Sequence, residues 1–532
     1  MAQIGAHLLS EKEKNMLFWA SFLALAAAGF GFVFRVMIPD IWAAEFTITA
    51  EEVGSLTGAA LWPLAITMII FSLLVDVIGY KNSMYIAFVL QTFSVILTLV
   101  AKNTSVLWWA CFCAGLGHGI VEAVINPLCA TMYRTAKSKM LNILHAAWPA
   151  GIVAGGTIYL TMDRMMAWRG IFLFMLLPII AYGIMFTLCH RYPVDERVEA
   201  NVPMKDMLKE FGGLGIFLAT TFLFYELGNH LGIPALKGNL TLSLIVGGVA
   251  GVSAGVLLKA KGKILFFVCC LIMIPLATAE LATDTWIQSL MRPVLAEEYT
   301  IRSGWAIVCS AGIMMFLRFF AGVPLKYMSP PALLLFSSVC SIFGLYLLSG
   351  ASGLMIFAAF VAYAVGQTFY WPTMQGLVAE QFPKGGAMTL NTVAAMGLLT
   401  VGIFGFPFLG AVKDSYDAKA VSASRPELYA KYKIEDKAFF GVKYDSIKRA
   451  EVLADESLDA ESKTVLTKEI DRSARKTIRV AAVLPTIMAI AFILMLVWFK
   501  TQGGYKAIHL EAAADEGAGD AEGANEAAES AV

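Results

Sequence analysis

The sequence predicts an all-α integral membrane protein of two six-helix halves plus an inserted helix pair, about 14 transmembrane helices in all. Three observations predict it. The 532-residue chain is 58% hydrophobic and only 15% charged, with a mean hydropathy of +0.70, whereas soluble domains run near 45–50% apolar and about 25% charged. Apolar runs long enough to span a bilayer, roughly 20 residues each, recur from end to end. The basic residues gather in alternate loops. Lys plus Arg equals Asp plus Glu at 40 each, so net charge gives no reason to expect a nucleic-acid partner.

The elements follow in order. Residues 1–15 are polar and lack a small-residue cleavage site, so they read as a cytoplasmic tail leading into a retained first helix. Six spans fill 16–190, at about 16–38, 53–75, 82–101, 105–129, 141–161 and 169–190. A cytoplasmic loop, 191–211, leads to the inserted pair in 212–260, with spans at 212–233 and 240–258. The second half runs through 261–412 with spans at 264–290, 303–323, 330–350, 352–376 and 385–412, and closes with 478–500. Between its last two spans, 413–477 is a charged extramembrane insertion, read as solvated; Tyr444 to Arg475 has the spaced apolar residues of a surface helix. The tail, 501–532, has the Ala, Gly and Glu composition of a disordered acidic segment.

Loop charge sets the orientation. With the N-terminus inside, short inner loops carry Lys12, Lys14, Lys81, Arg134, Lys137, Lys139, Arg191, Arg197 and Lys259–Lys263, and short outer loops carry far fewer basic residues. That is the bias of the positive-inside rule, and it places both termini in the cytoplasm of a plasma membrane (the inner membrane in a Gram-negative cell). The eight cysteines lie in or beside apolar runs without metal-ligand spacing.

Within the fourth span, Gly115-Leu-Gly-His118-Gly-Ile-Val-Glu122-Ala-Val-Ile-Asn126-Pro127 places three polar residues at i, i+4 and i+8. They share one helix face. A carboxylate at membrane depth is costly and faces a bundle interior or a watery cavity, which points to passage of a polar solute; a structural contact between helices is the plain alternative. After the second span comes Ser72-Leu-Leu-Val-Asp76-Val-Ile-Gly79-Tyr-Lys81, and after the eighth core helix a degenerate echo, Arg318-Phe-Phe-Ala-Gly322-Val-Pro-Leu-Lys326. These stretches resemble the loop motif Gly-x3-Asp-x2-Gly-x-Arg/Lys of the major facilitator superfamily, with Ser72 in place of the first glycine. The resemblance implies that fold, with Asp76, Gly79, Lys81 and Arg318 in gating roles and Asp76 capping a helix N-terminus of the opposite half.

Within that superfamily, Gly117-His118-Gly119-x-x-Glu122-Ala-x-x-Asn126-Pro127 and Leu141-Asn142-x-x-His145-Ala-x-Trp148 resemble the fucose–proton symporter branch. That implies that Glu122 and Asn142 line a sugar cavity and that Glu122 takes part in proton coupling. One departure stands out. Where that branch has an acid in helix one, this chain has Arg35. Glycerol-3-phosphate-type antiporters carry an arginine near this place, with a second in the matching helix of the other half; that helix here offers Glu280, Asp284 and Gln288 instead.

Arg35 keeps its proton and needs an acceptor when buried. It either forms a fixed pair with Glu122, forms one that substrate or proton breaks and remakes, or snorkels to the outer interface. His118 serves as a proton relay or as a hydrogen-bonding partner of a neighbouring helix. Asn126, Asn142 and His145 suit hydroxyl recognition, since amide and imidazole both donate and accept. Trp148 is a platform for a sugar ring or a packing residue. Glu280 and Asp284 are a cation site or mark an outer mouth. Gln367, Tyr370, Trp371, Gln375 and Asn391 complete a polar, aromatic lining.

The leading expectation is a secondary active transporter coupling a cation, in particular a proton, to symport of a sugar or sugar acid by alternating access. A proton-driven multidrug exporter and a non-transporting membrane sensor are the alternatives. No enzymatic motif is present, and no cofactor or metal is expected. The expected partners are a small-molecule substrate, its coupling cation and the bilayer, with the chain a monomer.

Overall fold

The structure is a computed structural model that describes residues 3–48, 50–230, 233–283, 304–351 and 355–510. Among these, 13 helices are long and apolar enough to cross a bilayer. The first six are α1 (Glu11–Met37), α2 (Glu52–Ile78), α3 (Tyr80–Val100), α4 (Thr104–Met132), α5 (Lys137–Met162) and α6 (Trp168–Leu188). The inserted pair is α7 (Met204–His230) and α8 (Leu240–Leu258). The second half has α9 (Ile264–Ala282), α10 (Ile307–Tyr327) and α11 (Pro330–Gly350). Its α12 is split into Met355–Gln367 and Tyr370–Gln381, so neither piece spans alone. Then come α13 (Pro383–Ser424) and α14 (Ala460–Thr501). The expected fourteen spans are therefore thirteen spans of sufficient length, several of them interrupted by short turns, and α12 in two pieces.

Local chemistry fixes several boundaries. Ser10 caps α1 in a capping box with Glu13, and Asn103 caps α4 by accepting from Val106 N–H at 2.9 Å. Gly79 turns the chain between α2 and α3 at φ 82°, a conformation that favours glycine. In α1 and α5 small residues let backbones touch. A Cβ on Gly151 would lie 2.0 Å from the Ala26 carbonyl oxygen, so alanine there forces these helices apart.

Each half has its own apolar core, and α7 joins the second through Met207, Phe211 and Leu218. Gln3–Ile4 pairs with Tyr192–Pro193, and Tyr505 Oη donates to Glu380 at 2.6 Å. Both described chain ends thus lie at one face, called here the amino-terminal face.

The insertion differs from its expectation. It is folded rather than merely solvated. Helices α13 and α14 extend beyond the apolar band and pack together around Ala418, Val421, Leu428, Ile447, Val452, Leu466 and Ile470. Two short antiparallel strand pairs, Lys433–Ile434 with Ser446–Ile447 and Ala438–Phe439 with Val442–Lys443, close it. The expected surface helix over Tyr444 to Arg475 is a short helix, Arg449–Leu453, followed by the start of α14. The apolar residues that suggested a surface helix form an interior.

Candidate functional site

Arg318 organises the middle of the molecule. It stands nine residues from the end of α10, about 14 Å along a helix and so near the centre of a core about 30 Å thick. Its side chain is buried. Nη2 donates to Glu280 Oε1 at 2.7 Å, Nη1 to the His145 carbonyl at 2.9 Å and Nε to the Thr368 carbonyl at 2.7 Å. Those carbonyls are free for a simple reason. Pro149 and Pro372 lie four residues after His145 and Thr368 and have no N–H to return to them. Pro127 likewise frees the Ala123 carbonyl, which accepts from Asn391 Nδ2 at 3.0 Å. In each case a polar side chain from another helix takes the released acceptor. The break in α12 serves twice, because the Trp371 N–H beyond it donates to Glu280 Oε2 at 3.1 Å.

The stripe on α4 feeds the same centre. Asn126 Nδ2 donates to Glu122 Oε2 at 2.8 Å, and Asn126 Oδ1 lies 2.9 Å from His145 Nε2. The amide N–H₂ is committed to Glu122, so the network assigns the proton on His145 to Nε2. Glu122 also lies within electrostatic reach of Arg318. Asn142 Nδ2 donates to Thr373 Oγ1 at 3.1 Å across the two halves. Gln367, Tyr370 and Gln375 are fully buried on α12, and Gln375 lies beside His145.

Of the alternatives for Arg35, the fixed pair is not the one seen. No Arg35–Glu122 pair forms; among the described residues Arg35 has no ion-pair or hydrogen-bond partner, although it is only 8% exposed. It sits near the end of α1 away from the amino-terminal face, beside His118. His118 Nε2 is also buried without a partner among the described residues. The stripe is thus satisfied at its Asn126 end and unsatisfied at its His118 end. Trp148 packs at a tilt against Phe32 with centroids 5.3 Å apart, a contact between α5 and α1. Trp371 lies against Gly397 of α13. Asp284 lies outside the described residues.

Arg318 is therefore not a gating residue at the amino-terminal face, because α10 carries it to the middle of the membrane. The polar contacts at that face come from elsewhere. Asp76 pairs with Arg197 of the α6–α7 loop rather than capping a helix of the opposite half. Asp195, two residues away, accepts from Tyr80 Oη at 3.2 Å and sits beside Gly386 at the start of α13. Lys137 pairs with Glu196 at 2.5 Å and donates to the Ala379 carbonyl at 3.2 Å, and Ser138 donates to Glu380. The bonds to Ala379 and Glu380 tie the halves together. Burial, and then the Asp76 carboxylate, push the Asp195 carboxyl up to about 6. Lys81 donates to the Cys189 carbonyl at 3.1 Å, a cation at the end of α6. Asp195, Glu196, Arg197, Ser138, Thr373 and Glu380 are the residues sequence reasoning missed; the charged run Asp195-Glu196-Arg197 between the halves signals the first three.

Two helical halves around a buried charged centre, joined at one face by hydrogen bonds, define a multi-pass transporter. The Major Facilitator Superfamily model matches residues 20–405, and the chain belongs to that superfamily. No curated protein matches the sequence. Among solved structures the chain is similar to the proton:xylose symporter XylE, at 13% identity and TM-score 0.60, covering 92% of this chain and 97% of that one. It is also similar to the E. coli fucose:proton symporter FucP, at 12% identity and TM-score 0.55, covering 90% and 98%. The human organic anion transporter MFSD10 gives 10% identity and TM-score 0.55, covering 90% and 99%. At such identities the likeness shows the fold.

Proposed function

We propose that the protein couples a cation, most simply a proton, to symport of a sugar or sugar acid by alternating access, and that the substrate is a sugar acid. The observation that carries this is Arg35, buried and without an acceptor among the described residues. A guanidinium left so needs an anion, and a carboxylate on the substrate supplies it in the bidentate form that arginine favours. His118 Nε2, next along the stripe, is placed for a substrate hydroxyl. Glu122 is the proton carrier in this reading. Its carboxylate accepts from Asn126, which in turn bonds His145, and it faces Arg318, so gain or loss of its proton alters the contacts of both halves. Asp76, with Arg197, gates the amino-terminal face.

The test is counterflow in proteoliposomes with hexuronates and neutral sugars, a mode that requires no net driving force. Wild type is expected to exchange a hexuronate. Arg35→Gln should lose that exchange by at least 10-fold, the scale of one buried charged hydrogen bond. Glu122→Gln should keep exchange and lose proton-driven accumulation. Absence of exchange for every sugar and hexuronate would remove this reading and put drug efflux or sensing in its place.

A further inference from the structure

At the amino-terminal face, where α8 returns to α9, a basin of about 690 Å³ opens between the inserted pair and the second half. Five lysines line it. Two are neutralised, Lys209 by Asp206 at 2.7 Å and Lys263 by Glu210 at 3.7 Å. Lys259, Lys261 and Lys384 make no ion pair among the described residues. The α8–α9 loop that carries two of these three is fixed. Gly213 N–H donates to the Ala260 carbonyl at 3.1 Å, Leu214 N–H to the Lys261 carbonyl at 3.0 Å and Lys263 N–H to the Glu210 carbonyl at 3.0 Å. Gly212 at φ 60° and Gly262 at φ 91° permit this close crossing. Next to the basin, Val256, Leu257 and Ile264 of α8 and α9 are exposed by 71%, 78% and 57%, as surfaces facing acyl chains are.

We propose that this basin binds the phosphate headgroup of an anionic phospholipid, with its acyl chains against α8. Juxtaposed lysines at a membrane surface attract anionic lipid at about 1 kcal/mol each, and the apolar exposure beside them favours a lipid over a free anion. Occupancy would bear on the gate, because the basin wall includes Val202, whose carbonyl accepts from Arg197 Nη1 at 2.5 Å while Arg197 pairs with Asp76.

The experiment is native mass spectrometry of the full chain titrated with phosphatidylglycerol, phosphatidylcholine or inorganic phosphate. Wild type should retain phosphatidylglycerol in preference to phosphatidylcholine. The triple variant Lys259→Gln, Lys261→Gln, Lys384→Gln should bind it on the order of 100-fold more weakly. A control triple on the same face, Lys12→Gln, Lys326→Gln, Lys500→Gln, should bind as wild type does. Unfolding midpoints establish that each variant is folded; if the first triple is not, Lys384→Gln alone should show a loss of roughly fivefold. Equal losses in the two triples, equal retention of the two lipids, or displacement of the lipid by inorganic phosphate at equal concentration would each overturn the proposal.

Discussion

At the residue scale, Arg318 shows how a permanent charge is kept inside a membrane bundle. Removing a guanidinium from water costs several kcal/mol unless its donors are met. Here one carboxylate and two proline-released carbonyls meet them. It follows that Arg318 and Glu280 behave as one unit. Glu280→Gln or Arg318→Met alone leaves a buried charge without its partner and should cost about 3–5 kcal/mol. The double variant leaves neither charge, so its loss should fall well below the sum of the single losses. Thermal unfolding of the three purified variants measures this, and strictly additive losses would dissolve the unit. The α4 stripe of His118, Glu122 and Asn126 was legible in the sequence because a single helix sets its periodicity. The place of Arg318 was not, because its partners lie on α5, α9 and α12 and are brought together only by packing. Arg35 was half legible: its need for an acceptor follows from chemistry, but Glu122 is held by Asn126 instead.

At the scale of elements, run length and loop charge were enough to find the spans, since the bilayer imposes a length that sequence reports directly. The break in α12 was hidden inside an apolar run of ordinary length. Proline alone did not announce it, because membrane helices tolerate proline when neighbours satisfy the released groups. That tolerance gives a prediction. Pro149→Ala and Pro372→Ala each restore an N–H able to recapture the His145 or Thr368 carbonyl, in competition with Arg318. Both prolines lie in the first turn of a helical segment, where proline is tolerated, so each variant should unfold close to the wild-type temperature. Counterflow should nevertheless slow, by roughly 10-fold where Arg318 loses one acceptor. Unchanged exchange in both variants would mean that the released carbonyls matter only for packing. The 413–477 insertion was misjudged for a related reason. Its charge content suggested solvation, while the few apolar residues that build its interior are spaced through several short segments between Ala418 and Ile470 that only folding brings together.

At the scale of the whole molecule, the amino-terminal face is closed by contacts that the alternating access proposed above would have to break. Asp195 is a carboxyl of that closure with a raised proton affinity. Burial and the neighbouring Asp76 carboxylate raise it to about 6, and opening the face to water would return it towards the ordinary value of about 3.9 for a free aspartate. The closed form therefore binds a proton more tightly than the open form. Its advantage from this group is fully present below the ordinary aspartate range and is lost as pH rises through about 6. The shift limits that advantage to something on the order of 3 kcal/mol. Spin labels at Thr135 and Lys326, exposed on opposite halves at this face, would report the change by double electron–electron resonance. In wild type the short-distance population should grow as pH falls through about 6. Asp195→Asn, which cannot ionise, should hold that population nearly constant over the same interval. A wild-type distance distribution indifferent to pH, or an Asp195→Asn variant with the full wild-type response, would remove Asp195 from the gate and leave its closure to the bonds from Lys137 to the Ala379 carbonyl and from Ser138 to Glu380.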